Sequence, residues 1–220
     1  MKILSDPSSG SIAGVTHSHN RAGQYTRSRR APVQTVGTGR KGIIKAAFGA
    51  ASSAWAALTP AVQAAWTGYA NGHPYTDSLG QSIKLTGHQM YVAVNAMLIN
   101  CGAAQSAAIP VTDAVFAAGF TAFTAVHAGA LTLTPSGAGA VTDYLLVSLS
   151  APQSGGRSFC KTFNQIDKLA GNVVAATVLT ALYTAQFGAF VLGQRIFYKL
   201  TPVNQYGVAG AANSGYIIVT

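Results

Sequence analysis

Glutamate is absent from this chain, and the five acidic residues are all aspartates. Charged residues make up 9% of the sequence, whereas soluble domains usually contain about 25%. The aspartates are widely spread and mostly stand beside turn-forming residues: Asp6, Asp77, Asp113, Asp143 and Asp167. Paired-carboxylate catalysis and carboxylate metal cages both need acids close together, so this spacing argues against them. The shortage of solvated charge also indicates that partners cover much of the surface.

Sequence motifs of enzymes and metal sites are also scarce. Cys101 and Cys160 are too few and too far apart for a disulfide framework or zinc site, so we expect two buried thiols. His17 and His19 share a strand face and would make half a metal site, but polar hairpin residues are the favoured interpretation. The 37–42 loop lacks the ending of a phosphate-binding loop, and no G-x-S-x-G turn occurs. We predict no enzyme, no cofactor and no metal.

Positive charge is concentrated near the N-terminus. Residues 1–45 hold eight of the fourteen Lys and Arg residues and a single acid, Asp6. The rest of the chain is nearly neutral and suggests no basic face. A basic segment attracts polyanions, either nucleic acid or an acidic protein surface. The residues predicted to contact a partner are Arg21, Tyr25, Arg27, Arg29, Arg30, Arg40 and Lys41.

The basic segment has the pattern of a β-hairpin. Residues 11–18 and 24–30 are extended, β-tolerant runs around a loop that ends in Gly23. Alternation places Tyr25, Arg27 and Arg29 on one face, yet neither face is apolar. A lone hairpin is barely stable in water. We therefore predict that residues 1–41, including a Pro/Gly/Thr linker at 31–42, form an extended arm that becomes ordered against another molecule.

Helical periodicity follows the linker. An apolar stripe predicts a helix over 43–58, and it comprises Ile44, Phe48, Ala51, Trp55 and Leu58. Thr59 and Pro60 are typical of the N-cap and first residue of a second helix. A third helix, with a capping box of Thr86 and Gln89, would end at Gly102. Residues 42–102 are thus predicted to form a small three-helix domain, with the Trp and Met side chains, including Trp55 and Trp66, in its core.

A β pattern replaces the helical one near residue 110. Apolar, β-branched and aromatic runs separated by Gly, Pro and Asn predict an antiparallel sandwich over 110–220. The strands are expected in ALTLTPSG, DYLLVSLS, RSFCKTFN, VVAATVLTALYT, QRIFYKLTPVN and SGYIIVT. The apolar stretch 114–133 is interpreted as a strand and its approach, not as a membrane span, and no signal peptide is expected. The predicted fold class is therefore α+β multidomain: basic hairpin arm, three-helix bundle and β-sandwich.

The last 28 residues, GQRIFYKLTPVNQYGVAGAANSGYIIVT, resemble the final two strands of a fibronectin type III domain. In that family an aromatic-led strand ends in an Asn-x-x-Gly turn, here Asn204 to Gly207, before a Ser-containing last strand. The resemblance is extended to the whole β part, about half of the chain. It implies a fibronectin III-like binding or spacer module and points to scaffolding, not to catalysis.

The N-terminal half resembles a second group, the small uncharacterised proteins encoded by tailed bacteriophages and prophages. Its hairpin motif matches Asn20, Arg21, Gly23, Tyr25, Arg27 and Arg29. Its helix-pair motif matches Phe48, Ser52, Trp55, Leu58, Thr59, Ala65 and Trp66. A third motif matches Tyr75, Thr76, Gly80, Leu85, Thr86 and Tyr91. The resemblance spans residues 11–100 and implies a phage setting, with the protein located in the virion.

These observations predict a non-enzymatic virion structural protein that binds phage coat or other virion subunits. A capsid decoration or cement protein is favoured, because a small body with a tethering arm suits the joining of capsomers. A tail or fibre component is the alternative within the virion, and a homo-oligomer is compatible with either. The remaining alternatives are nucleic-acid binding, with phosphates neutralised by the arginines and a base stacked on Tyr25, and a host-directed binding module. No membrane partner is expected.

Overall fold

The computed structural model describes residues 10–12, 15–20, 23–28, 40–76 and 81–220, with side chains for 42–75 and 81–220. The protein is α+β, with a helical part followed by two antiparallel sheets. The chain divides into two compact units, Met1–Gly42 and Ile43–Thr220. The second unit contains both the packed helices and the two large sheets.

The first unit contains a three-stranded antiparallel sheet in the order β1-β2-β3, formed by β1 (Gly10–Ile12), β2 (Val15–Asn20) and β3 (Gly23–Ser28). β2 pairs with β3 so that Asn20 lies opposite Gly23, which is the pairing that a hairpin requires. β1, which pairs with β2, was not predicted, because three residues are too few to show alternation. Of the predicted linker, residues 31–39 lie outside the described residues, and 40–42 belong instead to the first helix.

Three helices follow: α1 (Arg40–Trp55), α2 (Pro60–Gly72) and α3 (Gly87–Asn100). The predicted starts of α2 and α3 are confirmed. Thr59 caps α2 by accepting a hydrogen bond from the Val62 N–H, and Pro60 is the first helical residue. At α3, the Thr86 hydroxyl accepts from Gln89 N at 3.2 Å, and Gln89 Oε1 accepts from Thr86 N at 2.9 Å. Both donors would otherwise lack a partner at a helix start.

The helical core is built around Trp66. This side chain is completely buried, and its Nε1–H donates to the carbonyl of Ala107 at 2.8 Å. The Tyr91 ring meets it edge-on, with 5.3 Å between centroids. The prediction that Trp66 is a core residue is confirmed. Trp55 is half-buried at the margin of the same cluster, where its ring contacts those of His88 and Tyr91.

The predicted apolar stripe of α1 is buried over only its second half. Ala51 is fully buried, and Trp55 and Leu58 pack against the helical core. Ile44 and Phe48, however, are 50% and 59% exposed, so this half of the stripe lies outside the core. The core cluster draws its α1 members from Ala51 onward, and the first half of the stripe is therefore left uncovered within the described part of the chain.

Besides α1–α3, the described part of the second unit contains nine strands and one further helix. A short antiparallel pair, β4 (Tyr75–Thr76) and β5 (Ser82–Ile83), precedes α3. One large sheet has the order β10-β7-β6, and the other has the order β12-β11-β8-β9. Their strands are β6 (Phe120–Ala125), β7 (Leu131–Pro135), β8 (Tyr144–Leu149), β9 (Asn164–Ala170), β10 (Thr177–Val178), β11 (Arg195–Val203) and β12 (Asn213–Ile218). Helix α4 (Thr180–Phe187) lies between β10 and β11.

The two large sheets share one hydrophobic core. Inward-facing residues alternate along the strands, as expected when one face of a strand is buried. On β11 these are Ile196, Tyr198 and Leu200, the three residues that the sequence pattern places on one face. Leu131 and Leu133 of β7 enter the same core from the other sheet and are fully buried.

Two strand predictions were wrong. The run 157–164 precedes its strand, which is β9, and Cys160 in this connection is only partly buried, unlike Cys101. The run 173–184 contains β10 and then α4 in place of one long strand. Leu179 and Tyr183, four residues apart, are fully buried. The strand prediction failed because a short apolar run fits a helix as well as a strand.

The helical part packs on the outer face of the four-stranded sheet, opposite its core face. Cys101, Leu146 and Val203 form a buried cluster there. The turn after β11 completes this junction. The carboxamide oxygen of Asn204 accepts from the Val208 N–H at 3.0 Å, and its Nδ2 donates to Thr112 O at 3.0 Å. The strand end, the turn and the segment that leaves α3 are therefore joined by one buried side chain.

Candidate functional site

The predicted partner-binding residues fall in the first unit and at the start of α1. Tyr25 and Arg27 lie on β3, opposite Ser18 and Thr16 of β2, and their spacing places them on one face of the sheet. Arg40 and Lys41 are the first two residues of α1. The remaining three predicted residues, Arg21, Arg29 and Arg30, lie outside the described residues.

A second candidate surface lies on the outer face of the four-stranded sheet. Because Ile196, Tyr198 and Leu200 face the core, alternation turns Arg195, Phe197 and Lys199 outward. On the edge strand β12, Ser214, Tyr216 and Ile218 lie opposite Lys199, Phe197 and Arg195 respectively. We call these six residues the outer patch. The sequence suggested no basic face in the body, and the outer patch holds two cations, Arg195 and Lys199.

Arg195 is held in place by contacts with neutral groups. Its Cζ lies 4.4 Å from the centroid of the Tyr216 ring, a distance at which a guanidinium is attracted to an aromatic face. Its Nη1 donates to the carbonyl of Arg157 at 2.7 Å, while Nε is buried without a hydrogen-bond partner among the described residues. Arg157 in turn donates to Gln153 Oε1 at 2.7 Å. The arginine is therefore pre-positioned, but its charge is not neutralised by these contacts.

The described acids are engaged elsewhere. Asp143 accepts from the backbone N–H groups of Ala140 and Gln205, and Asp167 accepts from Lys168 N. Asp113 contacts His73 in the one ion pair found within the described ranges. The outer patch, with Arg195 and Lys199, therefore has an excess of positive charge next to the exposed side chains of Tyr216 and Ile218, whereas Phe197 is buried.

The cluster of Tyr69, His73 and Asp113 is the other concentration of titratable groups. The Tyr69 hydroxyl donates to Asp113 Oδ1, and His73 Nε2 contacts Oδ2. The Tyr69 and His73 rings stack with 4.0 Å between centroids. Burial, together with the hydrogen bond and the negative charge of Asp113, raises the pKa of Tyr69. A phenol so shifted stays protonated, and both carboxylate oxygens are occupied, so the cluster joins α2 to the segment around residue 113.

The described residues hold no group of three or more His, Cys, Asp or Glu side chains placed to bind a metal ion. No helix in the part of the chain that the structure describes is long and apolar enough to cross a membrane. His17 and His19 lie on β2, outside the range with described side chains.

The outer patch was missed because sequence reasoning counted net charge along the chain. The signal that would have found it is the alternation Arg-x-Phe-x-Lys in β11, on a strand whose other face is apolar. Comparison with protein-family models, with curated proteins and with solved structures gave no match to the chain.

Proposed function

We propose that this protein is a non-enzymatic structural component of a tailed-bacteriophage virion, and that its basic N-terminal unit attaches it to neighbouring subunits. Within the particle we favour a capsid-associated decoration or cement protein over a tail or fibre component. The partners are coat or other virion proteins, with further copies of the chain compatible with the same role. No cofactor or membrane enters this proposal.

The observation that carries the proposal is the separation of charge and structure between the two units. Residues 1–42 form their own compact unit with a three-stranded sheet. They contain seven Lys and Arg residues and one acid, Asp6. Extended strands can add to an exposed sheet edge of another protein, and arginines pair bidentately with carboxylates. Both properties suit an arm that clamps onto acidic subunits.

The sheet topology supports a fibronectin III-like module for residues 110–220. Seven strands divide into sheets of three and four, as in seven-stranded immunoglobulin-type sandwiches. The first, second and fifth of these strands share one sheet, and the fourth pairs with the third at the edge of the other. A buried tyrosine, Tyr183, lies in the connection before β11 and donates to Ser150 O at 3.0 Å. Such modules act as spacers and binders, in keeping with a scaffold.

Particle incorporation tests the proposal. Particles are prepared from cells in which the encoding phage or prophage carries the full chain, a chain lacking residues 1–41, or Arg21→Ala/Arg27→Ala/Arg29→Ala. The control changes three exposed lysines of the second unit, Lys45, Lys84 and Lys161, to Ala. We expect the truncation to abolish incorporation and the arginine variant to lower it at least about tenfold, which corresponds to 1.4 kcal/mol.

The lysine control should be incorporated normally, and all variants should keep a similar melting temperature for the second unit. Normal incorporation of the truncated chain would contradict the proposal. If that result is accompanied by DNA binding that requires the arm and falls steeply with salt, nucleic-acid binding becomes the favoured function.

A further inference from the structure

We infer that the free edge of β12, together with the outer patch, is a docking surface for an extended acidic segment of another protein. This surface lies in the second unit and goes beyond the attachment proposed for the first. The two ideas fail independently, because one depends on residues 1–41 and the other on β11 and β12.

The backbone hydrogen bonds of β11 show which groups of β12 are free. Arg195 exchanges hydrogen bonds with Gln153, at 2.9 Å in each direction, and the Phe197 carbonyl accepts from Ser150 N at 2.9 Å. The backbone N–H and C=O groups of Arg195 and the C=O group of Phe197 therefore point toward the β8 side of the sheet, away from β12. Because antiparallel residues alternate in direction, β12 bonds to β11 through residues opposite 196, 198 and 200.

The remaining residues of β12, which are Ser214, Tyr216 and Ile218, then direct their backbone N–H and C=O groups away from the sheet. β12 is the last strand in its sheet order. From Ile218 onward the edge is closed by the end of β6, because Ala125 forms a parallel bridge with Val219 and Thr220 N donates to the carbonyl of Ala125 at 2.9 Å. Within the described residues, no strand pairs with the outward backbone of 214 or 216. Such a row of unpaired groups is a template for an added strand.

The side chains beside this edge specify the chemistry of the added strand. A new strand would lie about 4.8 Å from β12, and its outward side chains would stand next to Tyr216. The Arg195 guanidinium is already drawn across the Tyr216 ring, toward that position, and Lys199 lies opposite Ser214. Carboxylates alternating with apolar residues would satisfy the cations and also contact Tyr216 and Ile218, which are 45% and 49% exposed.

A second copy of this chain does not fit as the occupant. The chain has no glutamate, and its five aspartates are dispersed. The three described in full, Asp113, Asp143 and Asp167, already accept hydrogen bonds within the protein. A nucleic acid would meet the positive charge but has no backbone ladder to pair with the free N–H and C=O groups of β12. An acidic polypeptide from a different protein satisfies both.

Amide hydrogen exchange of the full chain, followed by NMR, tests this inference. The probe is an acetylated octapeptide that alternates Glu and Val, and the control peptide alternates Lys and Val. We expect the Glu peptide to slow exchange of the amides of 214 and 216 at least about tenfold, because bound strands protect edge amides. The Lys peptide should leave them unchanged. Equal protection by both peptides, or none by the Glu peptide, would overturn the inference.

Two variants locate the contact. Ser214→Pro removes one outward N–H at an edge position where proline is tolerated, and it should abolish protection at 216. Lys199→Gln should weaken the affinity, read from the Tyr216 amide signal, by about threefold to tenfold. Lys84→Gln makes the same charge change far along the chain and should have no effect. Equal losses in the Lys199 and Lys84 variants would show non-specific charge attraction and refute the docking surface, as would displacement of the peptide by duplex DNA with matching protection of the edge.

Discussion

Trp66 connects the helical core to the segment that leads toward the sheets. It is fully buried, packs edge-on against Tyr91, and donates its indole N–H to Ala107 O at 2.8 Å. A buried indole with a satisfied N–H contributes both apolar burial and a hydrogen bond. Trp55 gains less from burial, because it is only half-buried and contacts the rings of His88 and Tyr91 at the margin of the cluster.

The two tryptophans should therefore differ in their effect on stability. We expect Trp66→Ala to lower the free energy of unfolding by about 3–5 kcal/mol, and Trp55→Ala to lower it by about half as much, since less apolar surface leaves water. Urea unfolding followed by circular dichroism measures both changes. An equal or larger loss in Trp55→Ala would contradict the positions of these residues in the core.

Tyr183 should make the protein sensitive to alkaline pH. Burial raises the pKa of its hydroxyl above the ordinary value, so the folded state holds the proton more tightly than the unfolded state. Its stabilising contribution is complete below pH 10, the ordinary tyrosine pKa, and is lost as the pH rises further. The free energy of unfolding should fall more steeply between pH 10 and 11 in the wild type than in Tyr183→Phe. Parallel pH profiles would contradict this account.

The turn that follows β11 is the element that fixes the sheet to α3. Gly207 has φ of +86°, and a Cβ on it would lie 2.6 Å from Val94 O and 2.8 Å from Leu98 Cγ. Gly193 has a similar φ, +79°, but nothing within 4 Å of the added Cβ. The pair separates the cost of the backbone conformation from the cost of crowding the helix.

Gly193→Ala, in the turn where Gln194 N donates to Val191 O at 3.1 Å, should lower the free energy of unfolding by about 1 kcal/mol, the cost of a left-handed alanine. Gly207→Ala should lower it by at least about 2 kcal/mol more, because the neighbour is helix backbone that cannot move aside cheaply. Urea unfolding of both variants gives the comparison. Equal losses would mean that the turn does not pack against α3 as described.

Local signals account for what the sequence predicted well at the scale of elements. The side chains of Thr59, Thr86 and Gln89 bond to backbone N–H groups three residues away, so their capping roles can be predicted without knowledge of the fold. β11 was recognisable from alternation because one of its faces is buried and the other carries Arg195 and Lys199. By contrast, β9 carries no strong alternation, and α4 is an apolar run whose helical form depends on burying Leu179 and Tyr183 against the sheets. Such tertiary effects override local propensity.

At the scale of the whole molecule, the predicted domain boundary near residues 102–112 requires that residues 110–220 fold on their own. The sheet core is self-contained, but Leu146 and Val203 are covered by Cys101 of the helical part. We expect limited proteolysis to leave a folded fragment that begins near residue 110, with a lower melting temperature than the intact chain because this cover is lost. A fragment that is unfolded by circular dichroism would contradict the boundary.

The central claim, that the basic N-terminal unit attaches the protein to other virion proteins, is tested most directly by crosslinking in assembled particles. A photoreactive amino acid replaces Tyr25 on β3, and a control replaces the exposed Val191 of the second unit. After irradiation, mass spectrometry identifies what is joined to each position. We expect Tyr25 to crosslink to a coat or other virion protein, more strongly than Val191 does. Crosslinks from Tyr25 to packaged DNA alone, or none at all in particles that contain the protein, would contradict the claim.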